Sequence, residues 1–481
     1  MKGIKSFFSS SSAFRICYIT DLFLCNIAYV QLAAYAFLLP LFIWGLVICC
    51  INQRKYHTFS RMRFGIWVAA FLLCNLITML INFSVMVFYS VIMLLNLCIC
   101  FMIFYGMHTE PQQDIKAEFY TICRIVVYLT TILGIIGITC LLCGFSHDSK
   151  AFTWIKFIIY ENRFTGVYIN PNNLGFISVV SIVCCHMLMR KRFWEEAKKP
   201  PVSMIWIVAC AGIDVFSLLL CDSNAAMVLL ICYVIAFVVY KLFSAEKGFN
   251  KKQLLVRMLT LCCLGIFVVC SAFMFRVICQ QGFAAVINGR TANEVQSSET
   301  GELVAQSGEE AVTFSHINKN IDSGRFKLAK ESVNLFKISP FIGISNGNIV
   351  LYSEEFSDGV LSFSYHYSDL HNAYLTLLVS TGFLGFTIFA IFGFRFAKHI
   401  IQNLFSDKSN LSGDIFPCLF SFLCAYLIYA LFEKALLYDI SFMVYWFWLI
   451  MGVASTYLNK YEPMYDNDYI IYKKRLRRNI F

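Results

Sequence analysis

The sequence predicts an all-α fold, a polytopic helical bundle embedded in a membrane, on two observations. The chain has 481 residues, of which 59% are hydrophobic and only 14% are charged, and its mean hydropathy is +0.68. Soluble domains carry about 25% charged residues, so this composition excludes an ordinary soluble enzyme. Apolar runs of about 20 residues recur at short intervals, and this is the length of helix that crosses the hydrocarbon layer.

Hydropathy predicts about twelve transmembrane helices. The first two are the least distinct, because residues 16–51 form one continuous apolar stretch that could instead be one long helix with an interfacial segment. Pro40 interrupts this stretch, which favours two spans. The predicted spans lie near 16–32, 33–51, 64–82, 84–105, 118–144, 173–189, 204–221, 224–243, 254–275, 372–394, 415–432 and 436–458.

The formal net charge of +10 indicates membrane topology rather than nucleic-acid binding, so no nucleic acid is expected as a partner. Lys and Arg gather in alternate short connections, and the positive-inside rule places those connections and both termini in the cytoplasm. The connections 145–172, 222–224, 276–371 and 433–435 then lie on the extracytoplasmic side. No cleavable signal peptide is evident, so we expect a multi-pass protein of a cell membrane.

The longest extramembrane segment, residues 276–371, lies between predicted spans nine and ten of a single membrane domain that covers 1–481. Function is expected there, because loops held by rigid elements commonly carry binding and catalytic residues. Residues 323–338 predict an amphipathic helix on the membrane surface or on the bundle, capped by Asp322 or Ser323 and ended by Pro340. The predicted apolar face of this helix consists of Phe326, Ala329, Val333 and Phe336.

No metal and no cofactor are predicted. Most of the 21 cysteines lie inside apolar spans, where cysteine behaves as a small hydrophobic residue. The Cys140-x-x-Cys143 pair has no matching pair or histidine cluster. No Asp-x-Asp pair lies on an external connection, and the chain has no phosphate-binding or dinucleotide-binding glycine motif.

Two polar residues in "ENRFTGVYINPNNLG" (161–175) are candidate ligands of an anion. Arg163 lies on an external connection, where a guanidinium group can bind phosphate oxygens in a bidentate manner. The alternative is an interfacial arginine that extends its charge towards water. Pro171 restricts Asn170 to extended geometry, so Asn172 or Asn173 could simply cap the following helix, or Asn172 could bind the substrate.

Arg325 is a second candidate for anion binding. It lies in the first turn of the predicted helix 323–338, where the helix dipole disfavours a cation. An anion held jointly by Arg325 and the helix N-terminus would explain this choice. The alternative is a solvated basic face shared with Lys327, Lys330 and Lys337.

His371 lies where the long loop re-enters the membrane, and Asn372 and Tyr374 follow it. A histidine at this boundary can orient or deprotonate a hydroxyl group near neutral pH. The alternative is a polar pair that caps the next helix. His366 lies five residues earlier and could compete for the same role.

Charged residues within spans are candidates by default, because each costs about 2.5–3.5 kcal/mol at a central position. Arg124, Asp214 and Glu433 belong to this class. Glu433 could form an ion pair with the adjacent Lys434 at a tight external turn. Asp214 and Asp222 bracket the outer half of the seventh predicted span, and either could hold an arginine side chain in place.

Three segments, taken in order, resemble the O-antigen polymerase and ligase superfamily, integral membrane enzymes that join lipid-carried glycans. The segments are "RFTGVYINPNNLG", "SGRFKLAKESVNLFKISPFIGIS" and "HNAYLTLLVSTGFLGF". Their order, their common side of the membrane and the long loop before the last three spans also match. The resemblance covers the chain from about Arg163 to Gly385.

This resemblance implies an inverting, metal-independent glycosyltransferase whose donor is a glycan on a polyprenyl (undecaprenyl) diphosphate. By the family pattern, Arg163 and Arg325 would neutralise the diphosphate as it leaves, and His371 would position or activate the acceptor hydroxyl of a second lipid-linked glycan. Relatives often have a Ser-Arg pair at the start of the eighth span, whereas this chain has Ser223 and Asn224. Arg276 or Arg290 would then have to substitute for the missing arginine.

The resemblance leaves several functions open. The first is a polymerase of lipid-linked repeat units for a capsule, exopolysaccharide or O-antigen in the bacterial cell membrane, with a flippase and a chain-length regulator as expected partners. The second is a ligase that moves finished glycan onto lipid A core or protein. A flippase or other transporter belongs to a different class and would be expected to show inverted repeats, which this sequence does not show.

Overall fold

The computed structural model describes residues 6–145, 147–148, 156–244, 251–297, 312–314, 324–357, 359–362, 369–404 and 414–459. Over these residues the chain is an all-α, polytopic helical bundle with one small sheet. The helices are α1 (Ser11–Leu24), α2 (Gln31–Tyr56), α3 (Thr58–Arg61), α4 (Gly65–Ile81), α5 (Val87–Ile99), α6 (Gln112–Leu142), α7 (Pro171–Leu188), α8 (Lys191–Glu196), α9 (Met204–Leu220), α10 (Asn224–Ser244), α11 (Lys251–Ser297), α12 (Arg325–Ile338), α13 (Ile349–Phe356), α14 (Ala373–Leu404), α15 (Phe416–Tyr429) and α16 (Phe442–Asn459).

Seven helices of the described chain are long and apolar enough to cross a membrane. Four shorter apolar helices, 65–81, 204–220, 416–429 and 442–458, coincide with further predicted spans. The prediction of a polytopic all-α membrane protein is thereby confirmed, whereas the number of about twelve spans stays a prediction.

The continuous apolar stretch 16–51 forms two helices, α1 and α2, separated by a short turn. Asn26 closes the end of α1, because its amide nitrogen donates to the Leu22 carbonyl at 2.7 Å. Pro40 lies inside α2 and does not end it, so Pro40 is not the interruption that the sequence predicted. Neighbouring helices tolerate such prolines within a membrane bundle.

A small three-stranded antiparallel sheet follows α6, and hydropathy did not predict it. Its strands are β1 (His147–Asp148), β2 (Lys156–Tyr160) and β3 (Arg163–Gly166). Glu161 and Asn162 connect β2 to β3 with φ values of 48° and 60°. Two consecutive positive φ angles are typical of the tight hairpin turn whose twist matches that of the strands. The hairpin therefore places Arg163 at the first position of β3.

Helix α11 continues past Arg276 to Ser297, so the first part of the predicted loop 276–371 is helical. The apolar window ends near Phe275, but no proline follows before Ser297 to end the helix. Hydropathy thus located the change from apolar to polar residues near Phe275, but it did not locate the end of α11 at Ser297.

Two glycines join the loop to the last helices. Helix α14 has a break at Gly382 (φ 63°, ψ −169°), and Gly343 also has a positive φ of 83°. Around this break the Phe383 N–H donates to the Pro340 carbonyl at 2.8 Å, and the Ile344 N–H donates to the Val379 carbonyl at 3.0 Å. A side chain on either glycine would collide with the other segment's backbone.

The amphipathic helix predicted at 323–338 is present as α12, but its buried face differs from the prediction. Phe326 is 80% exposed and Val333 is 50% exposed. The buried side chains are Leu328, Glu331, Ser332 and Leu335. Glu331 is buried because its carboxylate accepts hydrogen bonds from Ser353 and Ser357 of the following segment, which no helical periodicity could indicate. The proposed capping residues Asp322 and Ser323 lie outside the described residues.

Several helix termini meet at one end of the bundle. The start of α7 packs on the start of α10, because a Cβ at Gly175 would touch Ser223 and Ala226. The start of α14 meets the end of α15, where the Ala373 N–H donates to the Ala430 carbonyl at 2.9 Å. This end, which we call the site end, also holds the hairpin, since Ile27 after α1 pairs with Tyr168.

We expect Gly382→Ala to destabilise the protein strongly, because this backbone region costs a residue with a side chain about 1–3 kcal/mol and the added methyl group would collide with Phe341. Thermal unfolding of the purified protein in detergent measures the effect. Gly393→Ala is the matched control, because a Cβ there meets nothing within 4 Å and alanine favours a helix by about 1 kcal/mol. Equal unfolding temperatures for Gly382→Ala and the parent would contradict this account.

Candidate active site

Arg163 is held in a buried position at the site end. Only 5% of the surface of Arg163 is exposed to solvent. The Nε atom donates to the Cys221 carbonyl at 3.0 Å, and Nη2 donates to Asn172 Oδ1 at 2.9 Å. Burial lowers the pKa of this guanidinium group from its usual range. Arg163 is therefore an ordered part of the bundle and not an interfacial side chain that extends into water.

Asn172 is available to Arg163 because another residue caps α7. The N-cap is Asn170, whose side chain accepts a hydrogen bond from the Asn172 backbone N–H at 2.7 Å. The prediction that Asn172 or Asn173 caps this helix is therefore wrong. Pro171, at the first helical position, leaves Asn170 in extended geometry, and extended geometry is what a capping residue requires.

A second buried arginine, Arg276 on α11, lies beside the first. It forms a salt bridge with Asp222, and its Nη1 atom donates to Asn224 Oδ1 at 2.9 Å. Gln280 donates to the same Asp222 carboxylate at 3.0 Å. The charges of Arg276 and Arg163 are close enough to repel each other. The Asp222 carboxylate pairs with Arg276, whereas Arg163 is held by neutral oxygen atoms of Cys221 and Asn172. Two guanidinium groups and one carboxylate leave a formal charge of +1 (2 − 1) among these three side chains.

The resemblance predicts an arginine at the position of Asn224, and Arg276 contacts this asparagine directly. The short amide side chain cannot supply a cation, but Arg276 reaches the same place from α11. Of the two substitutes suggested by the sequence, Arg276 is the one that the structure describes there. The side chain of Arg290 lies outside the described residues.

His371 lies between two carboxylates. Its Nδ1 atom is 3.4 Å from Glu433 Oε2 and 3.5 Å from Asp369 Oδ1. Burial would lower the pKa of His371, but the hydrogen bond to Glu433 and the charges of Asp369 and Glu433 outweigh burial and raise it above 6.5. A histidine with Nδ1 facing carboxylates carries its lone pair on Nε2 when neutral.

Lys434 fixes the carboxylate that faces His371. Its Nζ atom lies 3.3 Å from Asp369 and 3.8 Å from Asp439. Burial alone would raise the pKa of Asp369, but the charges of Lys434 and His371 lower it overall. The suggested ion pair between Glu433 and Lys434 is therefore not the arrangement found, because each residue turns to a different partner.

Arg325 approaches the same group from α12. Its guanidinium carbon lies 5.4 Å from the centre of the Phe432 ring, a cation–π distance. Its charge opposes protonation of His371. Arg325 thus faces the histidine, rather than belonging only to a solvated basic face with Lys327 and Lys330. The helix has no side-chain cap at its start, where Gly324 occupies the N-cap position.

Asn372 and Tyr374 make contacts within the protein. Asn372 Oδ1 accepts from the backbone N–H groups of Tyr374 and Leu375, both at 3.0 Å, so it caps α14. Its amide nitrogen donates to the Leu431 carbonyl at 3.0 Å. The Tyr374 hydroxyl donates to the Leu427 carbonyl at 2.7 Å. These two side chains hold the start of α14 against the end of α15.

The two groups of charged residues lie at the same end of the bundle. One consists of Arg163, Arg276 and Asp222, and the other of Arg325, His371, Asp369, Glu433 and Lys434. Phe176 of α7 and Tyr429 of α15 link them, with ring centres 5.3 Å apart in a stacked arrangement. Four residues after Tyr429, the chain supplies Glu433.

Sequence reasoning missed Asp369 as a partner of His371, and it assigned Lys434 to Glu433. A local signal for Asp369 exists, because the His371 N–H donates to Asp369 Oδ1 at 2.7 Å in a turn spanning two residues. His366, the other histidine considered, lies outside the described residues. Within the described chain, no group of three or more His, Cys, Asp or Glu residues is arranged to hold a metal ion.

Comparison with known proteins bears on residues 209–390, which match the family model described as O-Antigen ligase. The match runs from α9 into α14 and includes Asp222, Arg276, Arg325 and His371. No curated protein matches the chain significantly. The match confirms the resemblance that the ordered motifs indicated.

We expect Glu433→Gln to lower the pKa of His371, because the substitution removes the carboxylate that favours the imidazolium ion. Arg325→Gln should raise that pKa, because it removes an opposing positive charge. The ¹³C chemical shifts of labelled histidines, followed against pH in detergent and assigned with His371→Ala, measure both changes.

Asp439→Asn serves as the control in this titration, because Asp439 contacts Lys434 and has no direct contact with the imidazole. An unchanged His371 pKa in Glu433→Gln, or a decrease in Arg325→Gln, would contradict the electrostatic arrangement described above.

Proposed function

We propose that this chain, whose residues 209–390 match the O-antigen ligase family model, is a membrane glycosyltransferase that polymerises lipid-diphosphate-linked repeat units into a surface polysaccharide. In this proposal the protein lies in the bacterial cell membrane with both termini in the cytoplasm. The site end then faces the extracytoplasmic side. The observation that carries the proposal is the placement of buried arginines and a carboxylate-bound histidine at one end of the bundle.

The arginines suit the leaving group of such a reaction. When the glycosidic bond to a polyprenyl diphosphate breaks, the bonding electrons remain on a diphosphate oxygen, and negative charge increases there. Preorganised guanidinium groups stabilise this charge most effectively in a site from which water is excluded. Arg163 and Arg276 are already held by Cys221, Asn172 and Asp222, so little reorganisation would be needed.

His371 suits the acceptor side of the same reaction. The acceptor hydroxyl oxygen would attack the anomeric carbon from the face opposite the diphosphate, and its proton would pass to His371 Nε2. The imidazolium ion formed in this step is stabilised by Glu433 and Asp369, which lie on the Nδ1 side. A base whose pKa lies near the working pH is the most effective general base.

The proposal requires no metal ion and no cofactor, because arginines supply the positive charge that a divalent ion would otherwise provide. A flippase and a chain-length regulator are the proposed partners in the membrane. A ligase would use the same donor and differ only in the acceptor, so product length distinguishes the two activities.

His371→Ala should abolish polymer formation and leave single lipid-linked repeat units, because the acceptor hydroxyl loses its base. The measurement is a reconstituted assay with purified lipid-linked repeat unit, in which gel electrophoresis resolves product length. A loss of about 10²–10⁴ in rate is typical of removing a general base. An unchanged ladder of products would remove His371 from the mechanism, and transfer of intact glycan without elongation would favour the ligase.

Arg325→Lys should be nearly as damaging as Arg325→Ala, because lysine cannot bind two diphosphate oxygens with a planar fork. Initial rates in the same assay measure the effect. Lys327→Ala is the matched control, because it removes a positive charge from the exposed side of the same helix. Full activity of Arg325→Lys, or an equal loss in Lys327→Ala, would contradict a specific contact with the diphosphate.

A further inference from the structure

A cluster of buried oxygen atoms lies between α6, α7 and α9, below the site end. It contains one carboxylate, four hydroxyl groups of Ser and Thr, and one phenol. Each of the six residues that carry these groups is at most 2% exposed. Each has at least one buried oxygen with no hydrogen-bond partner in the described structure. The residues are Thr130, Thr131, Tyr168, Ser181, Asp214 and Ser217.

Contacts among Asp214, Ser181, Tyr168 and Thr130 show that these four side chains share one region, and Thr131 and Ser217 flank them on α6 and α9. The Asp214 carboxylate lies beside the Ser181 hydroxyl and interacts with Tyr168, and the Tyr168 hydroxyl lies beside Thr130. None of these approaches has the geometry of a hydrogen bond. Ser217 lies one turn after Asp214 on α9, and its hydroxyl is 3.6 Å from a Cβ built at Gly134 of α6.

Asp214 is the unusual member of this cluster. Both of its carboxylate oxygens are buried without a hydrogen-bond partner, and among the described residues no cationic side chain pairs with it. The other buried carboxylate of this region, Asp222, is paired with Arg276. An ionised carboxylate without a counter-charge is very unfavourable in a medium of low polarity. Native interiors also contain few unsatisfied polar atoms, so six neighbouring ones require an explanation.

We propose that Asp214 and its neighbouring hydroxyl groups form an intramembrane binding site for a monovalent alkali cation. The donors are all oxygen atoms, which hard cations prefer to softer ligands. The Asp214 carboxylate supplies one negative charge, so a monovalent ion leaves the site neutral, whereas a divalent ion would leave an uncompensated positive charge in the bundle. Ser181, Tyr168 and Thr130 supply neutral oxygens from three separate elements.

The position of the site connects it to the arrangement of Arg163. Tyr168 lies between β3, which begins with Arg163, and α7, which carries Asn172. Helix α9, which carries Asp214, ends next to Cys221 and Asp222. A bound cation would therefore hold together the three helices whose outer ends position the first group of charged residues. Binding to the folded state alone stabilises that state as the ion concentration rises.

Thermal unfolding in detergent tests this proposal at constant ionic strength, with NaCl, LiCl or KCl replacing N-methyl-D-glucamine chloride. We expect at least one alkali ion to raise the unfolding temperature in a saturable manner. Asp214→Asn should remove that dependence. Direct binding of radioactive ²²Na⁺ to the purified protein, competed by each unlabelled ion, should show one site per chain that Asp214→Asn abolishes.

Asp21→Asn is the matched control, because Asp21 on α1 also has a buried oxygen without a hydrogen-bond partner but lies outside this cluster. It should keep the full response to the ion. If Asp214→Asn does not fold, Ser181→Ala provides the test. The loss of one neutral ligand should raise the concentration for half of the temperature shift by about tenfold.

Equal unfolding temperatures in all four salts, together with no ²²Na⁺ binding, would overturn the proposal. An Asp214→Asn protein as stable as the parent in every salt would then identify a neutral, protonated carboxyl group or a site for water. An ion response that Asp21→Asn loses and Asp214→Asn keeps would place the cation elsewhere and would equally overturn the proposal.

Discussion

Backbone polar groups buried in a lipid environment must find partners within the protein, and this constraint determines how the long loop joins the bundle. Helix α14 is interrupted at Gly382, and the segment that follows α12 supplies the missing partners. The Phe383 and Leu384 N–H groups donate to the carbonyls of Pro340 and Phe341. Non-helical backbone can lie at membrane depth only when it is satisfied in this way. The site depends on this junction, because it fixes α12, and with it Arg325, relative to the start of α14 and His371.

Buried charged side chains also need partners within the protein, and the two ends of the bundle differ in how far these partners neutralise the arginines. At the end opposite the hairpin, Arg15 is fully enclosed by Glu110 and Glu118, with oxygen distances of 2.7 and 2.6 Å. These two carboxylates neutralise the positive charge of Arg15 inside the protein. At the site end Arg276 pairs with Asp222, Arg163 is held only by neutral oxygen atoms, and Arg325 lies beside the Phe432 ring and near His371. Positive charge is therefore left to meet an anion at the site end, whereas the charge of Arg15 is neutralised within the protein.

The histidine and its carboxylates illustrate how neighbouring groups set chemical character. Glu433 and Asp369 favour the imidazolium ion, whereas burial and Arg325 oppose it. Lys434 keeps Asp369 ionised without contacting the histidine itself. A group that accepts a proton during reaction benefits from such opposing influences, since it must be neutral before the step and charged after it.

The sequence by itself determined the structural class of the protein, most of the helices and the family resemblance that residues 209–390 bear out, because long apolar runs and ordered motifs are local properties. It also identified Arg163, Arg276, Arg325 and His371 as candidates. Only the tertiary structure decided which polar side chains cap helices and which contact the charged groups. Asn172 and Asn372 look alike in sequence, yet Asn170 caps α7 and leaves Asn172 to Arg163, whereas Asn372 itself caps α14.

The partners of the charged residues were beyond the sequence for the same reason. Asp222 meets Arg276, and Glu433 meets His371, across separations of more than 50 residues. Such contacts depend on how helices pack, which single-chain periodicity does not encode. The small sheet was missed because hydropathy detects spans and not hairpins, and the buried face of α12 was wrong because Glu331 is buried by hydrogen bonds from Ser353 and Ser357. Local pattern determined where helices form, and packing between distant segments decided what their side chains do.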